Sequence, residues 1–304
     1  MAVVPGLVHV AGNAALDMLI RDVALHDIAA GDGWGTNVQL MSRPIEAVLG
    51  GCGAAPAYVL GRLGRRIVLN SNLADDIWGR TLAAWLAEAG VEGLDFVEAA
   101  TAAHMIALQP DGKRRSFYYA GAQVDWSRSL AGETPQWFLV SGYGKVQVAD
   151  LYEIQRVCGE MRQRGARVFF DPSPWFAGRV ETAEMHALWQ QVDCLCATEE
   201  EFAEWTAGGD YGQLAEYALG KGVEKVVVKR GGKGAFYAER DGDKGQVEVE
   251  LVASANTVGA GDSFNGRLVH GLCAGEELRT AVDQATQLAT RVVRGGRGVL
   301  GLMD

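Results

Sequence analysis

From about residue 65 onward, short runs rich in β-branched residues alternate with segments whose apolar residues recur at helical spacing. Few architectures accept that rhythm. The runs at 67–70, 137–140, 168–170, 194–196 and 225–229 read as strands. Between them, Trp78, Leu82, Trp85 and Ala89 follow a helical period closed by Gly90, a residue suited to ending a helix. Leu151, Ile154, Cys158 and Met161 repeat the pattern before Gly165. Such alternation predicts an α/β fold, a parallel sheet covered by helices on both faces, with ligands at the carboxyl ends of the strands. Residues 13–48 and 101–120 break the rhythm and read as strands and turns. Asp111-Gly112 is a hairpin signal between the runs 105–108 and 116–119. One main domain over 1–304 is expected, with a small β extension that serves as a lid or a pairing surface.

The totals narrow the function classes. Hydrophobic residues make up 48 % and charged residues 22 % of 304, the balance of a globular protein with a sizeable core. A formal net charge of −10 repels nucleic acid and anionic lipid, so neither is expected as a partner. Cys52, Cys158, Cys194, Cys196 and Cys273 form no disulfide framework and fit a reducing compartment. Cys194 and Cys196 alternate in an apolar run, the pattern of two buried thiols, with a metal pair as the alternative. No secretory signal and no run of membrane-spanning length is evident. A soluble, cytoplasmic protein is expected.

The strongest chemical signal is Asn256-Thr-Val-Gly-Ala-Gly-Asp262, followed by a helical pattern from Ser263. Two glycines around one small residue allow a tight turn, and a helix beginning there directs unpaired N–H groups and the positive end of its dipole at an anion. A transferring phosphoryl group needs that environment. Asp262 stands at its edge, either as a base for an attacking hydroxyl or as a mere helix cap. A carboxylate so close to a helix N-terminus is expected to be acidic. A second glycine turn, Gly50-Gly-Cys-Gly53, also leads into a helix. It falls short of a dinucleotide fingerprint because Pro56 holds the third glycine position. Gly296, Gly298 and Gly301 match that fingerprint in letters, but too little chain follows to complete a site. No P-loop motif is present.

These two turns resemble the paired signatures of the PfkB/ribokinase family of carbohydrate kinases. Gly50-Gly51 with its helix is similar to the N-terminal signature. Asn256 to Asp262 is similar to the C-terminal one, usually written D-T-x-G-A-G-D. Intervening segments agree: Ala74-Asp-Asp-Ile-Trp-Gly79, Pro110-Asp-Gly-Lys-Arg114, Tyr119-Ala-Gly-Ala122, Val140-Ser-Gly-Tyr143, Phe170-Asp-Pro172 and Val228-Lys-Arg-Gly-Gly232. The resemblance implies a ribokinase-like fold, with a central mostly parallel sheet flanked by helices and a β-strand lid over the sugar site. It implies transfer of the γ-phosphoryl group of ATP to a sugar hydroxyl, with Asp262 as base and the amides of Gly259, Ala260 and Gly261 as anion hole. Asn13 and Asp17 match residues that bind sugar hydroxyls, and Gly50 and Gly51 line the same pocket. Lys229 and Gly231 match the turn near ATP, although Lys229 also reads as a solvated strand end. Thr198 and Glu201 match the N-x-x-E motif, whose glutamate organises Mg2+. Glu199-Glu-Glu201 alternatively reads as an acidic first helical turn. K+ activation belongs to parts of the family.

Several residues depart from the family pattern. Thr198 replaces the N-x-x-E asparagine, and Ala55 stands where a sugar-binding Asn is common. Cys52 replaces a Lys found in some relatives, and Trp175 stands near the place of a basic residue after Asp171-Pro172. The acceptor is therefore left among ketoses, sugar acids, nucleosides and polyols. Lys113, Arg114 and Arg115 on the lid read as a solvated tip or as partners for a substrate anion. A non-catalytic sugar or nucleotide sensor and a nicotinamide enzyme are the competing readings. Pairing through the lid edges predicts a homodimer.

Overall fold

A computed structural model describes residues 2–23, 40–109, 113–142, 147–206, 208–252 and 256–303. The early strands, in chain order, are β1 (Val3–Ala11), β2 (Ala15–Ile20), β3 (Glu46–Gly50), β4 (Arg66–Asn70), β5 (Val91–Glu92), β6 (Ala102–Leu108) and β7 (Arg114–Tyr119). The later ones are β8 (Thr134–Ser141), β9 (Arg167–Asp171), β10 (Cys194–Thr198), β11 (Lys225–Lys229), β12 (Ala235–Glu239) and β13 (Lys244–Val247). The helices are α1 (Ala54–Arg62), α2 (Ile77–Glu88), α3 (Val148–Gln163), α4 (Thr182–Trp189), α5 (Glu199–Ala203), α6 (Tyr211–Gly220), α7 (Ala260–Ala274) and α8 (Leu278–Gly295).

The main sheet has the order β13-β12-β11-β10-β9-β8-β1-β4-β5. Its pairs from β5 to β11 are parallel, and β12 and β13 add an antiparallel edge. Buried runs such as Val226-Val-Val228 and Val168-Phe-Phe170 suit strands covered on both faces. One core, with Tyr58, Leu82, Leu86, Phe264 and Val282, lies between the sheet and α1, α2, α7 and α8. The other, with Leu151, Ile154, Met161, Trp189 and Leu214, lies beneath α3, α4 and α6. From β1 the chain order runs outward in both directions, so the β1–β8 boundary is a switch point where a crevice opens at the strand ends.

The small sheet has the order β3-β2-β6-β7. The expected hairpin is the antiparallel β6–β7 pair, with Leu108 opposite Arg114; its turn residues 110–112 lie outside the described residues, as do 24–39 of the first irregular stretch. Leu19, Val48, Ile106 and Leu108 form a satellite core under this sheet, with Val258 and Leu300 against it.

Two details differ from the sequence reading. The buried stripe of α2 runs through Gly79, Leu82 and Leu86, while Trp78 is 46 % exposed. Of the expected row, Leu82 and Ala89 are buried and Trp85 packs against the core; only Trp78 departs, because the Gly79 side faces the backbone of Ala74 and leaves no room for a Cβ. Strand β1 precedes the region where the alternation becomes visible, and Gly6, at φ +76°, interrupts its apolar pattern. Cys194 and Cys196 are buried free thiols, as are the other three cysteines.

Candidate active site

The first wall of the crevice grows from β2, β3 and the turn after β1. Asp17 pairs across the small sheet with Val48 on one side and His104 on the other. Gly50 ends β3 beside it, and a Cβ there would overlap the Asp17 carboxylate. Gly51 has φ +91°, and its own Cβ would stand 2.5 Å from the Asn13 carbonyl oxygen. That carbonyl accepts from the amides of Gly53 (3.0 Å) and Ala54 (3.1 Å). The double glycine is therefore a fitting requirement of the turn. The Asn13 side chain accepts from the Cys52 amide at 3.0 Å, and its Nδ2 donates to the Tyr118 hydroxyl at 3.0 Å. Tyr118 belongs to β7 and packs against His104 and Trp175, which joins the small sheet to the segment after β9. Ala55 is fully buried in the core behind this wall.

The second wall is the N-terminus of α7. Gly259 is its N-cap in left-handed conformation (φ +78°), and a Cβ would come within 3.0 Å of the Val299 amide. The Ser263 amide closes on the Gly259 carbonyl at 2.9 Å. The Ala260 amide donates to the Thr257 carbonyl at 3.2 Å, which distinguishes it from its neighbours. Among the described residues, the amides of Gly259, Gly261 and Asp262 make no such backbone bond. The turn Gly259–Gly261 thus starts the helix with backbone N–H groups that no backbone carbonyl among the described residues takes up.

Asp262 corrects the expectation of an acidic carboxylate. Burial of the carboxyl and the nearby Asp171 carboxylate push its pKa up to about 7, against the pull of Lys229. The helix terminus favours the anion, but lost hydration and a like charge win here. Burial, joined by the charge of Asp262, likewise raises Asp17 to about 8. The two carboxyls thus sense one another across the crevice. His104 Nδ1 lies 3.8 Å from Asp17 Oδ1, and burial together with Arg114 lowers the His104 pKa, so this contact involves a neutral imidazole.

Beneath Asp262 lies a polar cluster that the sequence reading did not assemble. Lys229 Nζ donates to Asp171 Oδ2 at 2.9 Å, and Asn265 Nδ2 donates to the same oxygen at 2.6 Å. Their side chains are almost closed to solvent, which excludes the solvated reading of Lys229. Burial pulls the Lys229 pKa down, but Asp171 and its neighbours outweigh that and hold it well above the ordinary lysine range. Removing one partner of such a pair costs about 3–5 kcal/mol. Asn265 was legible in principle, standing one helical turn beyond Asp262. Asp171 entered only as part of a family landmark.

A cleft of about 540 Å³ opens on the far side of the α7 N-terminus. It is lined by Thr198, Lys229, Gly231, Ala260, Gly261 and Phe264, among others. Three residues expected on the nucleotide side therefore share one cleft with two from the glycine turn. Asn13, Asp17, Gly50 and Gly51 group with one another around the Gly50-Gly51 turn and are not among the residues lining this cleft. Thr198 caps α5, with Oγ1 accepting from the Glu201 amide at 3.2 Å, while Glu201 Oε2 accepts from the Thr198 amide at 2.8 Å. Glu201 is buried behind the cleft by this reciprocal cap. No group of three His, Cys, Asp or Glu side chains disposed to hold a metal occurs among the described residues. No described helix is long and apolar enough to cross a membrane.

Residues 31–299 match the pfkB family carbohydrate kinase. The chain is 25 % identical to an uncharacterized sugar kinase of Escherichia coli (strain K12), over 95 % of this chain and 89 % of that one. It is 23 % identical to a 5-dehydro-2-deoxygluconokinase of Bacillus licheniformis, over 83 % and 84 % of the two chains. Among solved structures, an Arabidopsis thaliana ribokinase complexed with ribose and ATP matches at a TM-score of 0.75 and 20 % identity, over 99 % of this chain and 96 % of that one. The fold is ribokinase-like.

Proposed function

This chain belongs to the pfkB family of carbohydrate kinases, and on that premise we propose that it transfers the γ-phosphoryl group of ATP to a hydroxyl of a small sugar-like substrate. The observation that carries this reading is the α7 N-terminus itself. Its Ala260 and Gly261 line the cleft of Thr198, Lys229 and Gly231, and the next residue, Asp262, acts by its charge on Asp17. A phosphoryl group entering from the cleft meets backbone amides at the point where an acceptor hydroxyl meets a carboxylate.

In this mechanism Asp17 and Asn13 orient the acceptor; with a pKa of about 8 the Asp17 carboxyl is mostly protonated at neutral pH, so it donates to one acceptor oxygen and accepts from another hydroxyl. Asp262 takes the proton from the attacking oxygen. A pKa near 7 suits a general base, since an appreciable share is ionised at neutral pH and the anion is basic enough to take a proton. Amides of the Gly259–Gly261 turn face the equatorial oxygens of the transferring group, a role for preorganised dipoles. Lys229, held by Asp171 and Asn265, brings positive charge to the cleft. Glu201, buried near the cleft, is the carboxylate that would hold Mg2+ brought in with ATP, through water, and the ion would supply charge neutralisation there.

Near the acceptor, Cys52 is a neutral buried thiol whose pKa burial raises. With two carboxyls facing it, this end of the crevice favours an uncharged hydroxyl-bearing compound. We also propose a second copy of the chain as the partner of the small sheet. Its outer face exposes Phe117 and Tyr119, each 57 % accessible, beside Met105. The test of the function is ADP release from Mg-ATP across sugars, sugar acids, polyols and nucleosides. Release dependent on one of these compounds supports the reading. Binding of ATP and a sugar without turnover of any compound refutes it in favour of a sensor.

A further inference from the structure

The last turn of the chain joins the small sheet to the anion cradle. Gly296 caps α8 in the left-handed region at φ +70°, which turns its carbonyl away from the helix. Two donors converge on that one oxygen: Arg21 Nη2 at 2.6 Å and Asn256 Nδ2 at 2.8 Å. Arg21 directly follows β2, and its guanidinium also engages Glu46 of β3 through Nε (3.3 Å) and Nη2 (3.1 Å). Asn256 opens the loop into α7, and its Oδ1 accepts from the Val258 amide at 3.1 Å. An asparagine can do both because it carries a donor and an acceptor. Immediately beyond Gly296, the chain passes Gly259 so closely that a Cβ there would meet the Val299 amide.

A continuous polar path therefore runs from the sheet that bears Asp17 to the turn that bears the phosphoryl cradle. It passes through one carbonyl, with no substrate atom involved. The Arg21 side chain is 15 % exposed and that of Glu46 30 %. A charged donor aimed at a carbonyl in such partial shelter outweighs the usual surface ion pair. Apolar packing runs alongside, since Val258 and Leu300 cover the satellite core under the same sheet.

We infer that Arg21 is a positioning residue for phosphoryl transfer, fixing the Asn256–Gly259 loop to the substrate-binding sheet through the Gly296 carbonyl. This rests on the kinase reading for its catalytic consequence, while the mechanical part stands on the hydrogen bonds alone. A cradle used only as charge develops on the transferring group should affect turnover more than ground-state binding.

The experiment compares the full-length chain with Arg21→Met, Arg21→Lys and Glu46→Gln. Steady-state kinetics are measured with ATP and the acceptor found active, and hydrogen–deuterium exchange is followed in the segment 256–264. Arg21→Met is expected to lower kcat by about ten- to a hundred-fold, the range for losing a hydrogen bond to a charged group, with both KM values nearly unchanged. Exchange at the Val258, Ala260 and Ser263 amides, all bonded within this loop, should accelerate. Arg21→Lys should recover part of the rate, because an ammonium reaches the carbonyl but cannot fork onto Glu46. Unchanged kcat, or a rise in KM alone, overturns the inference. Should Arg21→Met fail to fold, Glu46→Gln decides: it keeps the donor but loosens its anchor, and unaltered exchange in 256–264 overturns the coupling. Failure of the kinase reading would instead appear as a wild-type chain without turnover, and the exchange comparison would still test the clamp.

Discussion

At the scale of single residues, Asp17 and Asp262 are carboxyls whose surroundings favour the protonated form. Burial leads in both cases, and the charge of Asp262 adds to the shift of Asp17. A folded-state pKa of about 8 for Asp17, against an ordinary value of 3.8, has a definite sign. The folded chain holds that proton more tightly than the unfolded chain. The associated stability is present in full below the unfolded value and is lost as pH rises through the folded one. Asp262 acts in the same direction up to about 7. Because the two sense one another, their titrations are shared. Asp17→Asn cannot ionise, so its Tm should overtake that of the wild type progressively between about pH 4 and about pH 8, while acceptor binding is lost. Thermal melts across that range check this. A Tm difference that does not vary with pH would show that the carboxyl is not strained by its setting. With the expected dependence, the site is an instance of function held at the expense of stability.

Elements explain why these residues meet. The turn Gly50-Gly51 brings the end of β3 against Asp17 and the Asn13 carbonyl, where no side chain fits. Gly50→Ala should therefore displace the Asp17 carboxylate and raise the KM for the acceptor strongly. The KM for ATP should change little, since the cleft of Thr198 and Gly231 lies beyond α7. Equal changes in both KM values would contradict the division of the crevice into two sides. Much of this was legible. Gly259 and Gly51 stand where the backbone takes positive φ, and glycines followed by a helix are the sequence mark of that geometry. The reciprocal cap of Thr198 and Glu201 was hidden in an acidic run that reads equally as dipole-favoured charge. The raised pKa of Asp262 was not legible at all, because it depends first on burial and then on Asp171, which lies 91 positions earlier in the chain. Local pattern reports helix termini well and long-range burial poorly.

For the whole molecule, the alternation of strands and helices was enough to give the parallel sheet and its two covering layers. It did not give β12 and β13, whose antiparallel pairing lacks the crossover helices that make parallel strands conspicuous. Nor did it show that the C-terminal turn reaches back to Arg21, a contact spanning nearly the full chain. The small sheet has two characters: its inner face carries Asp17, His104 and Tyr118, and its outer face carries Met105, Phe117 and Tyr119. An exposed apolar sheet face next to an open strand edge invites a like surface. Sedimentation equilibrium should find a dimer, and Phe117→Lys should shift it towards monomer. A monomeric wild type at all working concentrations would remove the pairing role from this face.

The central claim concerns Asp262 and is tested most directly by Asp262→Asn, assayed for acceptor-dependent ADP release beside calorimetric binding of ATP and acceptor. The variant keeps the size and shape of the side chain but exchanges one acceptor oxygen for an NH2 donor and cannot take a proton. Turnover should fall by about 10²–10⁴-fold, the usual contribution of a positioned general base, with both ligands still bound. An Asp262→Asn variant turning over at nearly the wild-type rate would contradict the account and leave the carboxyl as an acidic residue of the first helical turn.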